Sequence, residues 1–428
     1  MSEKMQGAAR VSGLGSVGSP EAVCHPGESI DPSARLFSSL DTASTQKLAQ
    51  RLADRGHFAT VVEEATKPAS GTAGTQFPLV TVLVPIRNEQ AYIARCLNSI
   101  LRSDYPADRF SVVVIDGDSD DGTREIIRQF AAEHDRVSLI LNPQRSVPFA
   151  LNYGLRGSDS DIVIRVDGHA EVAEDFVRKN VECLLSRPEC WSCGGAIHSV
   201  GETTVGRIIA ACMSHPAGVG NARFRLGGFD GYVDTVAFGA YWRWVFDRIG
   251  YFDEELVCNQ DDEFNARIIR NDGRIYLSRE IHSSYFPRAS LIKLFRQYFR
   301  YGFWRIRTIQ KHGRPATFRQ TVPLIFVTTL LSLMFASLFF GTAQTLLAIS
   351  LSMYAVVLMS GTVSVMLKEG VLSGLLAPAV FGILHFSYGF GCLAGIAARC
   401  FQSALKSNPV TPTSGSFLDS VQKGMAHK

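Results

Sequence analysis

Leu79-Val80-Thr81-Val82-Leu83-Val84-Pro85 reads as a buried strand stopped by a proline, and Ser111-Val112-Val113-Val114-Ile115-Asp116 as a second that ends on an acid. Short apolar runs bounded by turn signals predict strands covered on both faces. Between the two, the spacing predicts a helix from about Glu89 to Leu101; after the second, Gly122 and Thr123 open another that runs through about Ala132. Val137 to Leu141 and Asp161 to Val166 repeat the theme. Apolar strands alternating with amphipathic helices define an α/β fold, a mainly parallel sheet with helices on both faces. In such sheets ligands bind beyond the carboxyl ends of the strands. Those ends are Pro85 to Glu89, Asp116 to Asp121 and Asp167 to His169.

The flanks differ from this core. Residues 1–35 are rich in Gly, Ser and Pro and read as disordered. Residues 36–77 hold a helical pattern from Leu36 to about Thr66 and a linker through Gly71–Gly74. No apolar leader stands at the N-terminus, so no signal peptide is expected. The α/β region covers 78–287. From Arg288 to Arg319 there are nine Lys/Arg, and no Asp or Glu lies between Glu280 and Glu369. Residues 288–319 read as a basic amphipathic helix in a membrane interface, with Leu291, Leu294, Phe295 and Tyr298 facing down. Lys293, Arg296, Arg300, Arg307 and Lys311 would then face anionic headgroups.

No charge occurs between Arg319 and Lys368, or between Glu369 and Arg399. A helix that crosses a bilayer needs about 20 apolar residues. Residues 320–398 are therefore expected to hold about three transmembrane spans (322–340, 344–367 and 371–398), followed by a polar tail, 399–428. Basic flanks stay on the cytoplasmic side. Three spans would put the tail outside, which suits Arg399 and Lys406 poorly; a re-entrant third span is the alternative. The net charge of +3 averages over these unlike segments, and the uncharged spans speak against a nucleic-acid partner for the basic block. Nine cysteines are scattered along the chain. Cys190 and Cys193 have C-x-x-C spacing, but no second pair completes a zinc set, and small buried thiols are the plainer reading.

Three acidic stretches could carry chemistry. Asp116-Gly117-Asp118-Ser119-Asp120-Asp121-Gly122 follows a strand and could accept hydrogen bonds from a base or ribose, or merely cap the next helix. Asp167-Gly168-His169 ends another strand; an acid and an imidazole there could face one divalent cation, or form a plain turn. Gln260-Asp261-Asp262-Glu263 opens a helix with Phe264, Ile268 and Ile269 on its apolar face. Acids suit a helix start through the macrodipole alone, and a general base is the competing reading.

Taken together and in order, these stretches resemble the family 2 glycosyltransferases, whose nucleotide-sugar-binding fold is called GT-A. Pro85-Ile86-Arg87-Asn88-Glu89 is similar to the first strand-end motif, and Ile115 to Thr123 to the acidic nucleotide motif. Ala150-Leu151-Asn152-Tyr153-Gly154 matches the following short helix, and Asp167-Gly168-His169 stands in place of the metal-binding D-x-D. Gln260 to Glu263 stands in place of the E-D base motif, and Gln297-Tyr298-Phe299-Arg300-Tyr301 in place of Q-x-x-R-W. The likeness covers about residues 78–310 and is greatest to membrane-tailed glucosyltransferases of exopolysaccharide assembly.

The resemblance implies an inverting transfer with Asp261 as catalytic base. Pro85, Glu89, Asp116, Asp118, Asn152 and Asp167 would bind the nucleotide-sugar, with Asp167 and His169 holding Mn²⁺ or Mg²⁺. Gln297 and Arg300 would touch the acceptor or the diphosphate. The implied partners are a nucleotide-sugar donor such as UDP-glucose, a polyprenyl-diphosphate-linked sugar acceptor, the membrane and other glycan-assembly proteins. The implied setting is a bacterial inner membrane, multi-pass, with the catalytic domain cytoplasmic. His169 for the second acid, Gln260 for the Glu of E-D and Tyr301 for Trp depart from the family pattern. The last departure weakens a processive polysaccharide synthase. A non-catalytic sensor of nucleotide-sugars would bind without turnover. A nucleotidyltransferase would need a Gly-rich phosphate loop near its start, and none is evident.

Overall fold

The structure is a computed structural model that describes residues 77–407, apart from 288, 314 and 316 and the side chains of 402–407. The helical pattern read between Leu36 and Thr66 therefore lies outside the described residues, as does most of the polar tail.

The first half alternates β1 (Val80–Ile86), α1 (Ile93–Leu101), β2 (Phe110–Asp116), α2 (Thr123–Glu133), β3 (Val137–Leu141), α3 (Val147–Arg156) and β4 (Ile162–Arg165). Then come β5 (Ala170–Val172), α4 (Phe176–Leu185), β6 (Cys190–Ser199), α5 (Thr204–Met213), and two single turns, α6 (Pro216–Val219) and α7 (Arg223–Leu226). The second half continues with β7 (Gly231–Tyr232), β8 (Ala240–Trp242), α8 (Arg243–Ile249), α9 (Gln260–Arg270) and β9 (Arg274–Tyr285). Four C-terminal helices follow: α10 (Leu291–His312), α11 (Val322–Ala336), α12 (Gly341–Glu369) and α13 (Val371–Ser407).

The strands form one sheet in the order β3-β2-β1-β4-β8-β6-β9-β5, with β7 beside β9. The first four strands are all parallel. Beyond β4 the sheet is mixed, because β8 runs antiparallel to both β4 and β6. The expected mainly parallel sheet thus describes one half of it. Side chains alternate across a strand, so each strand feeds two cores. Val82, Val84, Val112 and Ile164 pack with Ile93, Leu97 and Phe176 of α1 and α4. Leu83, Ile115 and Val163 pack on the opposite face with Leu151, Phe246 and Phe264 of α3, α8 and α9.

Helix α1 starts later than expected. Asn88 takes the left-handed conformation (φ 56°) and the Glu89 N–H goes to Thr123 Oγ1 at 2.9 Å, so these residues form a turn clasped to the acidic loop. Helix α9 turns Phe264 and Ile268 inward, whereas Ile269 is exposed.

The C-terminal helices depart more. Helices α12 and α13 are long and apolar enough to cross a membrane, and the chain is membrane-associated. Helix α11 has 15 residues, fewer than the ~20 that a span needs, so the expected three spans become two of full length plus a short apolar helix. Helix α13 is unbroken from Val371 to Ser407, and its first half joins the core of the α/β region: Ala377, Phe381 and Leu384 pack with Ile208, Ile209 and Met213 of α5. Its second half lies along α10 at backbone distance. A Cβ on Gly391 would stand 2.1 Å from Phe299 O, and one on Gly302 2.1 Å from Tyr388 O, so only glycine permits this approach. Helix α10 leaves Lys293, Arg296, Arg307 and Lys311 exposed, and only Arg305 of its cations is buried. Lys293, Arg296, Arg300 and Arg305 line an internal cavity, and Arg307 and Lys311 pair with Glu255.

Candidate active site

A cavity of about 1050 Å³ opens at the carboxyl ends of β1 and β4 and runs on between the bases of α11, α12 and α13, where Phe326, Tyr354 and Leu384 line it. One wall consists of strand ends. Pro85 to Glu89 leave β1, and Gly117 leaves β2 with its N–H on Ile86 O at 2.8 Å. Asp167 and His169 follow β4, separated by Gly168, where a Cβ would fall 2.3 Å from Ile86 Cγ2. The close fit of this turn against β1 brings the His169 ring to Glu89: Nδ1 lies 3.1 Å from Oε1.

The opposite wall is helical. Asp261 and Asp262 occupy the first turn of α9, and successive residues of a helix point about 100° apart, so each finds a different partner. Asp261 Oδ2 accepts from Arg165 Nη1 at 3.0 Å, and its Oδ1 from the Asp262 N–H at 2.9 Å. Asp262 pairs with Arg305 of α10, whose Nε also donates to Tyr388 Oη of α13 at 3.2 Å. Behind them, the buried Glu263 accepts from Arg267 and meets His312 Nε2 at 2.8 Å. One turn of helix thus ties the α/β region to α10 and α13.

Arg165 bridges the walls. Its Nη2 donates to Asp167 Oδ1 at 2.7 Å while Nη1 holds Asp261. Burial, reinforced by the neighbouring Asp262, pushes the Asp261 carboxyl above its ordinary value, although Arg165 opposes the rise. For Asp262 burial is outweighed by the Arg305 cation, and its pKa is lowered. Burial disfavours a charge on His169, yet the hydrogen bond to Glu89 pushes its pKa up to about 9.

The structure brings Pro85, Glu89, Asp167, His169, Asp261, Gln297 and Arg300 to one cavity. It does not bring Asp116, Asp118 or Asn152 to the wall. Asp116 is fully buried, with Oδ2 taken by Arg124 Nε at 2.7 Å and Oδ1 by the Ser119 N–H at 3.0 Å. Asp118 accepts from Arg124 and Arg145. The Asn152 amide is spent on Phe252 and Glu254, bracing the loop ahead of α9. Asp120 and Asp121 fasten the acidic loop, to Asn88 and to the Gln90 and Thr123 N–H groups. Cys190 and Cys193 are buried on β6, where Cys193 Sγ donates to Asn180 O at 3.3 Å.

Sequence reasoning missed Arg165, Arg145, Arg225 and Arg305. Arg165 carried a signal, for a charge inside Ile162-Val163-Ile164 must be paired if that strand is buried. The others had none, since their partners lie far away in the chain.

A divalent cation fits Asp167 and His169. The Asp167 carboxylate is partly open to the cavity, and His169, once the ion displaces the proton that its raised pKa keeps on the ring, would offer Nε2 while Glu89 holds Nδ1, the usual way a ligating histidine is oriented. Among the described residues no group of three or more His, Cys, Asp or Glu forms a complete cage, so the other positions would fall to diphosphate oxygens and water.

Residues 81–246 match the family described as Glycosyl transferase family 2. The Succinoglycan biosynthesis protein ExoA of Rhizobium meliloti is 31% identical over 245 residues, which cover 57% of this chain and 74% of that protein. A dolichyl N-acetyl-alpha-D-glucosaminyl phosphate 3-beta-D-2,3-diacetamido-2,3-dideoxy-beta-D-glucuronosyltransferase of Methanococcus voltae is 28% identical over 231 residues, 52% of this chain and 71% of that protein. In fold the chain is similar to the mannosyltransferase PcManGT of Pyrobaculum calidifontis, solved with GDP-Man and Mn²⁺. The TM-score is 0.52 at 19% identity, over 84% of this chain and 98% of that one.

Proposed function

Because the chain belongs to the family 2 glycosyltransferases, enzymes of GT-A fold that move a sugar from a nucleotide-sugar to an acceptor, we propose that its acceptor is a polyprenyl-diphosphate-linked sugar. The donor is UDP-glucose and the product a cell-surface glycan such as an exopolysaccharide. One observation carries this reading: a single cavity joins the strand ends, the half-buried Asp261 carboxylate and the space between the apolar helices. A water-soluble acceptor would have no use for the last part. Likeness to a succinoglycan biosynthesis protein supports the cell-surface glycan as product, and likeness to an enzyme named for a dolichyl phosphate substrate supports the lipid.

In this reading Asp261 takes the proton of the acceptor hydroxyl as its oxygen attacks the anomeric carbon. The nucleoside diphosphate leaves from the opposite side, so configuration inverts. Arg165 holds Asp261 aimed and opposes its protonation. Pro85, Glu89 and Arg145 line the place of the nucleoside, with Asp116 and Asp118 acting through Arg124 and Arg145. Gln297 and Arg300 face the acceptor side. Mn²⁺ or Mg²⁺ held by Asp167 and His169 would neutralise charge on the departing diphosphate.

The basic block ahead of α11 sets the catalytic region on the cytoplasmic face of a bacterial inner membrane, with the chain multi-pass.

The test uses membranes carrying the full chain, a panel of UDP- and GDP-sugars, a lipid-diphosphate-linked sugar and Mn²⁺ or Mg²⁺. The expected result is release of nucleoside diphosphate with one sugar gained by the lipid. A ladder of sugars would replace single addition by polymerisation. Transfer to soluble sugars alone would discard the lipid acceptor.

A further inference from the structure

We infer that Arg225 and Arg300 form a second phosphate-binding site in the cavity, on the side of the membrane helices, and that its ligand is the diphosphate of an isoprenoid-linked sugar. This deepens the reading above and rests on it for the acceptor's role.

The two guanidinium groups arrive from unrelated parts of the chain. Arg300 lies on α10, and Arg225 on the single turn α7 between Gly220 and Gly227, both of which have positive φ. Both line the cavity, and Arg225 Nη1 and Arg300 Nε are each shut off from solvent without a hydrogen-bond partner. Those two nitrogens are packed against protein, but the rest of each guanidinium lines the cavity, and two such forks on one cavity point to an anion that both can hold. Among the described residues, the acids of the same cavity are committed elsewhere. Asp167 and Asp261 are held by Arg165, Asp262 by Arg305, and Glu89 by His169.

The surroundings narrow the anion. The Arg225 guanidinium stands 5.7 Å from the Tyr285 ring, which lies 5.0 Å from the His169 ring on its way to the strand-end wall. Gln297 Nε2 donates to Tyr301 Oη at 2.8 Å, while its Oε1 is buried without a partner. Tyr301 O accepts from Asn259, two residues before Asp261. Two guanidinium donors for phosphate oxygens and an amide carbonyl for a hydroxyl, close to the base, match a sugar carried on a diphosphate. A donor diphosphate belongs instead at Asp167 and His169. The cavity continues from here between Phe326, Tyr354 and Leu384, a path for an apolar chain. The loop that carries Arg225 is itself anchored to α13, since His385 Nε2 lies 2.7 Å from Ala217 O.

The test is titration calorimetry on the full chain in lipid nanodiscs with farnesyl diphosphate, farnesol and inorganic pyrophosphate. Each is run with and without saturating UDP or GDP, on wild type, Arg225→Gln and Arg225→Lys. Wild type should bind farnesyl diphosphate more tightly than either farnesol or pyrophosphate, and nucleotide should not displace it. Arg225→Gln should weaken farnesyl diphosphate about tenfold or more, the range of a hydrogen bond to a charged group, and leave farnesol unchanged. Arg225→Lys, which keeps the charge, should recover part of the loss, and matching melting temperatures exclude a folding defect. Competition by UDP or GDP would hand the site to the donor and overturn the proposal. Unchanged binding in Arg225→Gln would remove Arg225 from it. Failure of wild type to glycosylate any lipid would strike the proposed acceptor, while this binding result would still stand.

Discussion

On the side of Pro85, Gly117 and Asp167 the cavity wall is made of strand ends; on the side of Asp261, Gln297 and Arg305 it is made of helices joined by buried charges. The strand-end wall is local. Each residue follows a parallel strand within a few positions, and the alternating core behind it sets where that strand stops. The helical wall is assembled over distance: Asp261 answers to Arg165, Asp262 to Arg305 and Tyr388, and α13 can lie against α10 because of glycines at 302 and 391. A wall of strand ends can be specified by periodicity and turns. The helical wall depends on pairings that no local pattern encodes.

The largest effect that would break this division is at Asp261. Asp261→Asn keeps size and the Asp262 N–H contact but cannot take a proton, so kcat should fall by about 10²- to 10⁴-fold. Nucleotide binding, a property of the other wall, should stay within about twofold, read by calorimetry beside steady-state kinetics. Equal loss of donor binding would mean that the walls are not separable.

Next is the buried pair beneath the base. The Arg305 side chain is 5% exposed and its partner Asp262 23%. Removing one member of a buried pair leaves a charge without compensation, a loss of roughly 3–5 kcal/mol, whereas replacing both by apolar residues is often near neutral. Arg305→Leu should therefore lower the denaturant midpoint strongly, and Arg305→Met with Asp262→Leu should recover most of the loss. If the double variant is as unstable as the single, the pair does not hold α9 to α10.

The same contrast explains what could be read beforehand. Strand ends, the turn at Asp167 to His169 and the acids opening α9 followed from alternation, turn residues and motif order, because backbone geometry alone places them. Asp116 was legible only as a strand end: its side chain turns into the protein to meet Arg124, and direction at a strand end is set by the next helix. The cations of α10 were legible only in part. A basic helix beside apolar spans suggests headgroups, and only the fold shows Asp262 within reach of Arg305 and Glu255 within reach of Arg307. Arg225 was invisible, being one arginine in a glycine-rich loop whose position depends on α13.

A smaller effect should separate the walls by pH. His169 has its pKa raised from 6.5 to about 9, chiefly by the Glu89 carboxylate once the opposing burial is overcome. A raised pKa gives stability that is complete below the unfolded value and is lost as pH climbs through the folded one. At ~1.4 kcal/mol per pH unit, the window between about 6.5 and 9 is worth at most about 3.5 kcal/mol. Wild-type stability in chemical denaturation should decline across that window, and Glu89→Gln should flatten the decline.

The smallest effect sharpens the reading of the acidic loop. Four carboxylates crowd into Asp116 to Asp121, yet the structure uses Asp121 as a fastener. Its Oδ1 accepts from the Thr123 N–H at 3.1 Å, where α2 begins, and its Oδ2 from the Gln90 N–H at 3.2 Å, where β1 gives way to the turn before α1. Those contacts resemble a helix cap, and Asp-to-Ala changes at caps cost about 1 kcal/mol. Hydrogen bonds from the Thr123 hydroxyl and from these N–H groups overcome the effect of burial and lower the Asp121 pKa, so its contribution should be present at neutral pH and vanish as pH falls through the lowered value. Asp121→Ala should thus lower stability by about that amount at pH 7 and by less near pH 3, with the KM for the nucleotide-sugar changed by no more than about twofold. A large rise in donor KM with normal stability would instead make Asp121 a nucleotide contact, and the strand-end wall would then owe its chemistry to the whole acidic loop rather than to Glu89, Gly117 and Asp167.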